Sequence, residues 1–196
     1  MTNFVLLGGN GYLGRNFVQY AQKQEPSAHF YVVSRSVRNR LVDPAITNIA
    51  ADITVDAVIP DLPAQIDYVV DFIGGPAKDP AESLAINDDP AALMQKLAED
   101  HQVKAMGFIG GLLGPKEFVQ AKKRIISRLQ QSPVRLAYVE PTLVYGNGRH
   151  DAMTRWVPLL KGAGVFAKRL RPVTVNEVVT QLWERLVRTN ETKQGL

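Results

Sequence analysis

The chain has 196 residues, 45% of them hydrophobic and 21% charged, with a formal net charge of +4, a balance that suits one well-buried globular core. It contains no cysteine and three scattered histidines, His29, His101 and His150, so disulfides, thiolate nucleophiles and a metal site are not expected. Its apolar runs fall far short of the roughly 18–20 residues needed to span a bilayer, and it enters its first strand at once, which predicts a cytoplasmic protein with no signal peptide and no membrane span.

Phe4-Val5-Leu6-Leu7 reads as a short buried strand, and Tyr12 to Gln24 places Leu13, Phe17, Val18 and Ala21 at helical spacing. Between and across them run two overlapping patterns, Gly9-x-Gly11-x-x-Gly14 and Gly8-x-x-Gly11-x-x-Gly14. In such a turn one glycine takes a positive φ, one admits a pyrophosphate and one lets the helix lie close to the sheet. The helix N-terminus then offers backbone N–H groups and a positive dipole end to phosphates. Gly8, Gly9, Asn10, Gly11, Tyr12, Leu13 and Gly14 are therefore candidate dinucleotide-binding residues. A strand before and a helix after is the context that this motif requires; the alternative is a glycine-rich turn that binds nothing.

His29 to Ser34 has the aromatic and β-branched composition of a second strand. A site that prefers NAD(H) places a carboxylate near the end of this strand for the ribose 2′-hydroxyl. Here the end reads Ser34-Arg35-Ser36-Val37-Arg38. Guanidinium forks pair with phosphate oxygens, so Ser34, Arg35 and Arg38 predict a preference for NADP(H), with NAD(H) possible; the alternative is a solvated arginine-rich loop. A third strand, Ile46 to Ala51, leads into Asp52-Ile53, where the acid either reaches an adenine amino group or caps a following helix.

Ile66 to Gly75 is a nearly continuous apolar run ending in glycines, the pattern of a strand buried on both faces. Its end, Phe72-Ile73-Gly74, would pass beside the cofactor. Residues 81–99 read as a helix that breaks and restarts near Asn87-Asp88-Asp89-Pro90. Val103 to Ile109 is a fifth strand, Pro115 or Lys116 to Gln131 an amphipathic helix, and Val134 to Val139 a sixth strand. This alternation predicts an α/β fold, a Rossmann-type doubly wound parallel sheet flanked by helices on both faces. One domain over residues 1–196 is expected, with 141–172 a reduced substrate-side or docking segment. Basic residues clump at Arg35/Arg38/Arg40, Lys122/Lys123/Arg124/Arg128 and Lys168/Arg169/Arg171. None is interleaved with aromatics as a nucleic-acid surface would be. An interfacial membrane helix around Trp156 would be interrupted by Pro158, Gly162 and Gly164.

The chain resembles the atypical and extended branches of the short-chain dehydrogenase/reductase superfamily. The resemblance rests on Gly8-x-x-Gly11-x-x-Gly14, Asp52-Ile53, the glycine-ended fourth strand, Glu140-Pro141-Thr142-Leu143-Val144-Tyr145-Gly146-Asn147-Gly148-Arg149 and Pro172 to Val179. Within that group the glycine turn and Asp71 to Gly75 look most like members related to the NADPH-holding accessory subunit of respiratory complex I. The resemblance implies dinucleotide binding by these segments, Pro141 included. It also implies a Tyr-x-x-x-Lys pair as acid/base, and there the sequence departs. The matching segment is Phe118-Val119-Gln120-Ala121-Lys122: the lysine is kept and the phenol is missing. The serine or threonine expected after strand five has no counterpart in Ile109-Gly110-Gly111. Proton transfer of this kind contributes ~10²–10⁴-fold in rate, so ordinary carbonyl reduction is not expected. Tyr145 is the nearby phenol that would have to substitute. Two outcomes stay open, a reductase of a quinone-like or otherwise activated acceptor and a non-catalytic redox sensor or stabilising protein partner; oligomeric state is not legible.

Overall fold

The computed structural model describes residues 1–36, 38, 40–53, 59–147 and 171–188. Its centre is a six-stranded, wholly parallel sheet in the order β3-β2-β1-β4-β5-β6, built from β1 (Asn3–Leu7), β2 (His29–Ser34), β3 (Ile46–Ala50), β4 (Tyr68–Asp71), β5 (Ala105–Ile109) and β6 (Leu136–Val139). The expected doubly wound Rossmann-type sheet is therefore present. Its strand order reverses between β1 and β4, and a crevice opens beyond the carboxyl ends of strands at such a switch point.

Both faces of the sheet are covered, which is why the strands read as unbroken apolar runs. Phe4 and Leu6 point into one core with Phe17, Val18 and Ala21 of α1 (Tyr12–Gln24) and Val178, Leu182, Trp183 and Leu186 of the last helix. Val5 and Leu7 point into the other, with Ala91, Met94, Ile125 and Leu129. The Phe4 ring stacks on Phe30, Tyr68 and Trp183 at centroid distances of 5.3, 4.8 and 5.6 Å, so the first strand and last helix share one aromatic cluster.

The fourth strand is shorter than its apolar run. The Asp71 carboxylate accepts a hydrogen bond from Ile73 N–H at 2.8 Å, a local bond that turns the chain out of the sheet. Further on, the predicted break near Asn87 is absent. The helix continues from α2 (Pro80–Ser83) through a π turn (Leu84–Asp88) into α3 (Asp89–Asp100). Pro90 lacks the N–H that would bond Ile86 and would clash with that carbonyl in a regular α-helix. The wider turn relieves this, and Asp89 N–H bonds Leu84 C=O, five residues back.

Helix α4 (Lys116–Leu129) packs on the same face as α3 and buries Ala121, Lys122, Ile125, Ile126 and Leu129. A two-stranded sheet of β7 (Val144–Tyr145) and β8 (Val173–Thr174) leads into α5 (Val175–Val187). That helix starts with a capping box between Thr174 and Glu177. Among the described residues no helix is long and apolar enough to cross a membrane.

Candidate functional site

The switch point between β1 and β4 holds a cleft of about 630 Å³ lined by Gly8, Asn10 and Gly11, by Ser34, Arg35 and Ser36, by Asp52 and Ile53, and by Phe72, Ile73, Ala85 and Ile86. The loop after β1, the end of β2, the end of β3 and the end of β4 thus meet at one place. Ala85 and Ile86 come from the π turn. Only their setting in an otherwise ordinary helical stretch hints at them.

The glycines divide the labour. Gly8 takes φ +71°, which an L side chain rarely adopts, and a Cβ there would come 2.6 Å from the Ile73 side chain. A Cβ on Gly14 would lie 2.5 Å from Gly9 Cα and Gly9 O, so the residue lets α1 press against the turn. Gly11 begins α1 without any side-chain cap, leaving the helix start open toward the cleft. These observations fit a pyrophosphate cradle.

At the far end, Asn10 Nδ2 donates to Arg38 C=O at 2.8 Å and ties the glycine turn to the arginine loop. Ser36 Oγ accepts from Arg38 N–H at 3.1 Å, and Ser34 Oγ donates to Ser36 C=O at 2.7 Å. Arg35, Arg38 and Arg40 are exposed. Burial and the Arg40 charge hold the Arg15 guanidinium below its ordinary value, so a second pair of cations converges here. Val37 and Asn39 lie outside the described residues. So do residues 54–58, and with them the alternative of Asp52 as a helix cap.

At the near end, Lys122 is 3% exposed. Its Nζ lies 4.5 Å from the centroid of Phe108, 5.9 Å from that of Phe118 and 3.5 Å from Ile73 C=O. A Cβ on Gly74, whose φ is +137°, would meet this Nζ at 2.5 Å and Asn87 Oδ1 at 2.7 Å. The glycine therefore makes room for the ammonium beneath an exposed turn. Fully buried Asn87 holds the same turn, accepting from Gly75 N–H at 3.2 Å and donating to Gly75 C=O at 3.0 Å. Burial pulls Lys122 below its ordinary value, and the charges of Asp71 and Asp88 oppose this. Asp71 is fully buried and its carboxyl is pushed up to about 7, chiefly by burial, with Lys122 and the Ile73 N–H acting against. Neither Asp71 nor Asn87 stood out in the sequence reading. The signal was there, as one acid in an apolar strand and one amide at a suspected break.

Phe118 packs over the glycine loop after β5: Cβ atoms built on Gly111 and Gly114 would stand 3.0 and 2.9 Å from its ring. Where the resemblance would place a phenol and a loop hydroxyl, the structure holds aromatic carbon and glycine. The basic run on α4 is not one exposed patch, because Lys122 is buried and Arg124 holds Asp88 through both carboxylate oxygens at 3.0 Å.

Other predicted residues lie elsewhere. Pro141 accepts from Leu112 N–H at 3.0 Å and lines a separate depression of about 400 Å³ with Glu140, Thr142 and Arg171. Tyr12 donates to Gly146 C=O at 2.6 Å, and Asn147 donates to buried Asn16 at 2.6 Å, so the segment after Tyr145 is pinned to the start of α1. Leu13 packs on the core and Gly9 sits behind the cleft against Leu6 and Val32. The region around Trp156 and the Lys168/Arg169 pair lies outside the described residues. Among the described residues no group of three or more His, Cys, Asp or Glu side chains could hold a metal.

The profile of the NAD dependent epimerase/dehydratase family matches residues 4–151, most of the chain. The chain belongs to that family. No curated protein matches this epimerase/dehydratase family member at a significant level, but many solved structures share its fold. It is similar to the Bordetella bronchiseptica enzyme WbmF in complex with NAD+ and UDP, at 17% identity and TM-score 0.68, over 95% of this chain and 69% of that one. It is similar to ElxO with NADP bound, at 12% identity and TM-score 0.73, over 98% and 94%. A short chain dehydrogenase family protein from Francisella tularensis subsp. tularensis SCHU S4 shares 16% identity at TM-score 0.67, over 95% and 91%. At these identities the likeness establishes the Rossmann-type fold.

Proposed function

We propose that this family member binds NADP(H) across the carboxyl ends of β1 and β4, with NAD(H) as the weaker ligand, and does so without a tyrosine–lysine acid/base step. The observation that carries the reading is the composition of one cleft. The glycine turn and the Ser34-Arg35-Ser36 end of β2 line it together, with no carboxylate on the β2 side. In this reading Gly8, Gly11 and the start of α1 take the pyrophosphate, with Gly9 and Gly14 packing the turn behind them. Ser34, Arg35 and Arg38 take the 2′-phosphate, and Asp52, Ile53, Ala85 and Ile86 surround the adenine. Phe72, Ile73, Gly74 and Lys122 face the nicotinamide ribose; Pro141 is retained as an outer contact on the resemblance alone. Residues 1–196 form one domain, with 141–172 as its substrate-side or docking segment, working in the cytoplasm. Related folds with NAD+ or NADP bound support the dinucleotide class. A tyrosine-to-phenylalanine variant of ElxO has NADPH bound, which supports dinucleotide binding on this fold after loss of a phenol.

When bound, the nicotinamide would supply or accept a hydride. The chain's own contribution is to orient the cofactor through the glycine turn and to present the Lys122 ammonium beneath Gly74. Phe118 moves no proton, and Gly110 and Gly111 offer no hydroxyl to a carbonyl oxygen. That favours a sensor or stabilising partner. The buried Lys122 favours the second reading, hydride transfer to a quinone-like or otherwise activated small-molecule acceptor that needs little acid catalysis. Titration of cofactor fluorescence with NADPH and NADH tests the first claim: micromolar NADPH binding with NADH at least about tenfold weaker is expected, and failure to bind either removes it. Stopped-flow oxidation of bound NADPH by quinones, compared in wild type and Phe118→Tyr, separates the two readings. Turnover in wild type selects the reductase.

A further inference from the structure

Asp71 ends β4 between Leu7 of β1 and Phe108 of β5 in the sheet register. Strand alternation puts it on the face of Val69, which belongs to the core shared with α3 and α4. Lys122 descends from α4 onto that face, and its Nζ lies over the ring of Phe108, the neighbour of Asp71 in the register. The two groups approach one residue through its two flanking peptides: Ile73 N–H donates to Asp71 Oδ1 at 2.8 Å, and Ile73 C=O stands 3.5 Å from Lys122 Nζ.

Among the described residues the remaining oxygen, Asp71 Oδ2, is buried with no hydrogen-bond partner. An orphaned buried carboxylate oxygen is costly. The lysine is equally short of partners, with two aromatic faces and one carbonyl at the limit of hydrogen-bond range. Among the described residues the charged groups around the pair are Asp88 from the π turn and Arg124 and Arg128 from α4. Asp88 is committed to Arg124, and its backbone carbonyl accepts from Arg128. β1 and β5 flank Asp71 with the apolar Leu7 and Phe108. Asp71 is therefore the uncommitted counter-charge on the sheet side of Lys122.

We propose that Asp71 is the positioning residue of Lys122, holding its ammonium at the Gly74 turn from the sheet side so that the remaining protons face the dinucleotide cleft. A buried lysine with no counter-charge gives up its proton, and a neutral amine is a poor donor to ribose hydroxyls. With Phe118 in place of a phenol, the aromatic side of the site cannot supply that charge. The functional part of this inference rests on the reading of the cleft as a dinucleotide site; the pairing of Asp71 with Lys122 does not.

The test reads the two parts separately. In protein labelled with [ε-¹³C]lysine and no cofactor added, the Lys122 signal, assigned by its loss in Lys122→Arg, is followed against pH. A step near neutral pH, where Asp71 ionises, is expected in wild type and absent in Asp71→Asn, where Lys122 itself binds its proton at least about tenfold more weakly. In Lys122→Met, carboxyl-labelled aspartate should show Asp71 titrating at still higher pH. Lys122 titration unchanged by Asp71→Asn, or an Asp71 titration unmoved by Lys122→Met, overturns the proposal. In parallel, NADPH affinity is measured at pH 6 and pH 8. Asp71→Asn should weaken binding about tenfold at pH 8, with the difference closing at pH 6, where wild-type Asp71 carries its proton. Equal affinities at both pH values overturn the positioning role, whereas absence of NADPH binding in wild type overturns the cleft reading and leaves the lysine titrations to decide the pairing.

Discussion

Replacing Asp71 by Asn should stabilise the protein at neutral pH, and the size of the gain follows from burial. The Asp71 carboxyl is fully buried and sits at about 7, against an ordinary value of 3.8. The folded state therefore holds a proton that the unfolded chain releases as pH rises through about 4. From there to about 7 the folded state binds more protons than the unfolded one, so stability falls with rising pH by about 1.4 kcal/mol per pH unit. Across the whole interval the loss approaches about 4 kcal/mol, and above pH 7 it is constant. Asn keeps an oxygen for the Ile73 N–H and cannot ionise, so Asp71→Asn escapes the loss. Urea denaturation of both proteins at pH 5, 6, 7 and 8 gives the difference directly. It should grow by about 1.4 kcal/mol per unit between pH 5 and 7 and then level off. A difference that is flat across this range would show that Asp71 is ionised throughout and would refute the burial argument.

Replacing Arg35 and Arg38 with Ala should weaken NADPH by about ten- to a hundredfold and leave NADH within about twofold, measured by cofactor fluorescence; equal loss of both removes the 2′-phosphate assignment. Gly14→Ala puts a methyl 2.5 Å from the backbone of Gly9 and should cost about 1–3 kcal/mol in urea denaturation. Gly75→Ala, with nothing within 4 Å of the new carbon, is the control and should be neutral to within about 0.5 kcal/mol. Trp183→Ala removes a 7%-exposed ring stacked on Phe4 and should cost about 3–5 kcal/mol, read from the denaturation midpoint.

The sheet was legible because its information is local. Val5 and Leu7 face one core and Phe4 and Leu6 the other, so an unbroken apolar tetrad identifies a strand covered on both sides without any knowledge of its neighbours. The glycine turn is local in the same way, since the φ of Gly8 and the close packing of Gly14 on Gly9 are properties of residues a few positions apart. The π turn was misread because the sequence shows Pro90 as a helix breaker. In the fold the helix accommodates it by widening, and the widening places Ala85 and Ile86 on the cleft and Asn87 under Gly75.

The near end of the site shows what local reading cannot reach. Phe118, where the family resemblance would place a tyrosine, is a one-residue difference, and on that reading a proton donor is missing. It does not say what the retained lysine then does. That depends on Phe108 and Asp71 being neighbours across β5 and β4, on α4 crossing the same face, and on Gly74 having no side chain where the ammonium rises. Asp71 alone in an apolar strand looks like a blemish; on the face that Lys122 reaches from α4 it is a buried carboxyl whose charge acts on the lysine. A chain that kept the lysine merely as a relic would gain stability by losing Asp71 and would lose nothing in cofactor affinity. The pH-dependent binding of NADPH is therefore the property that separates a working site from a vestigial one.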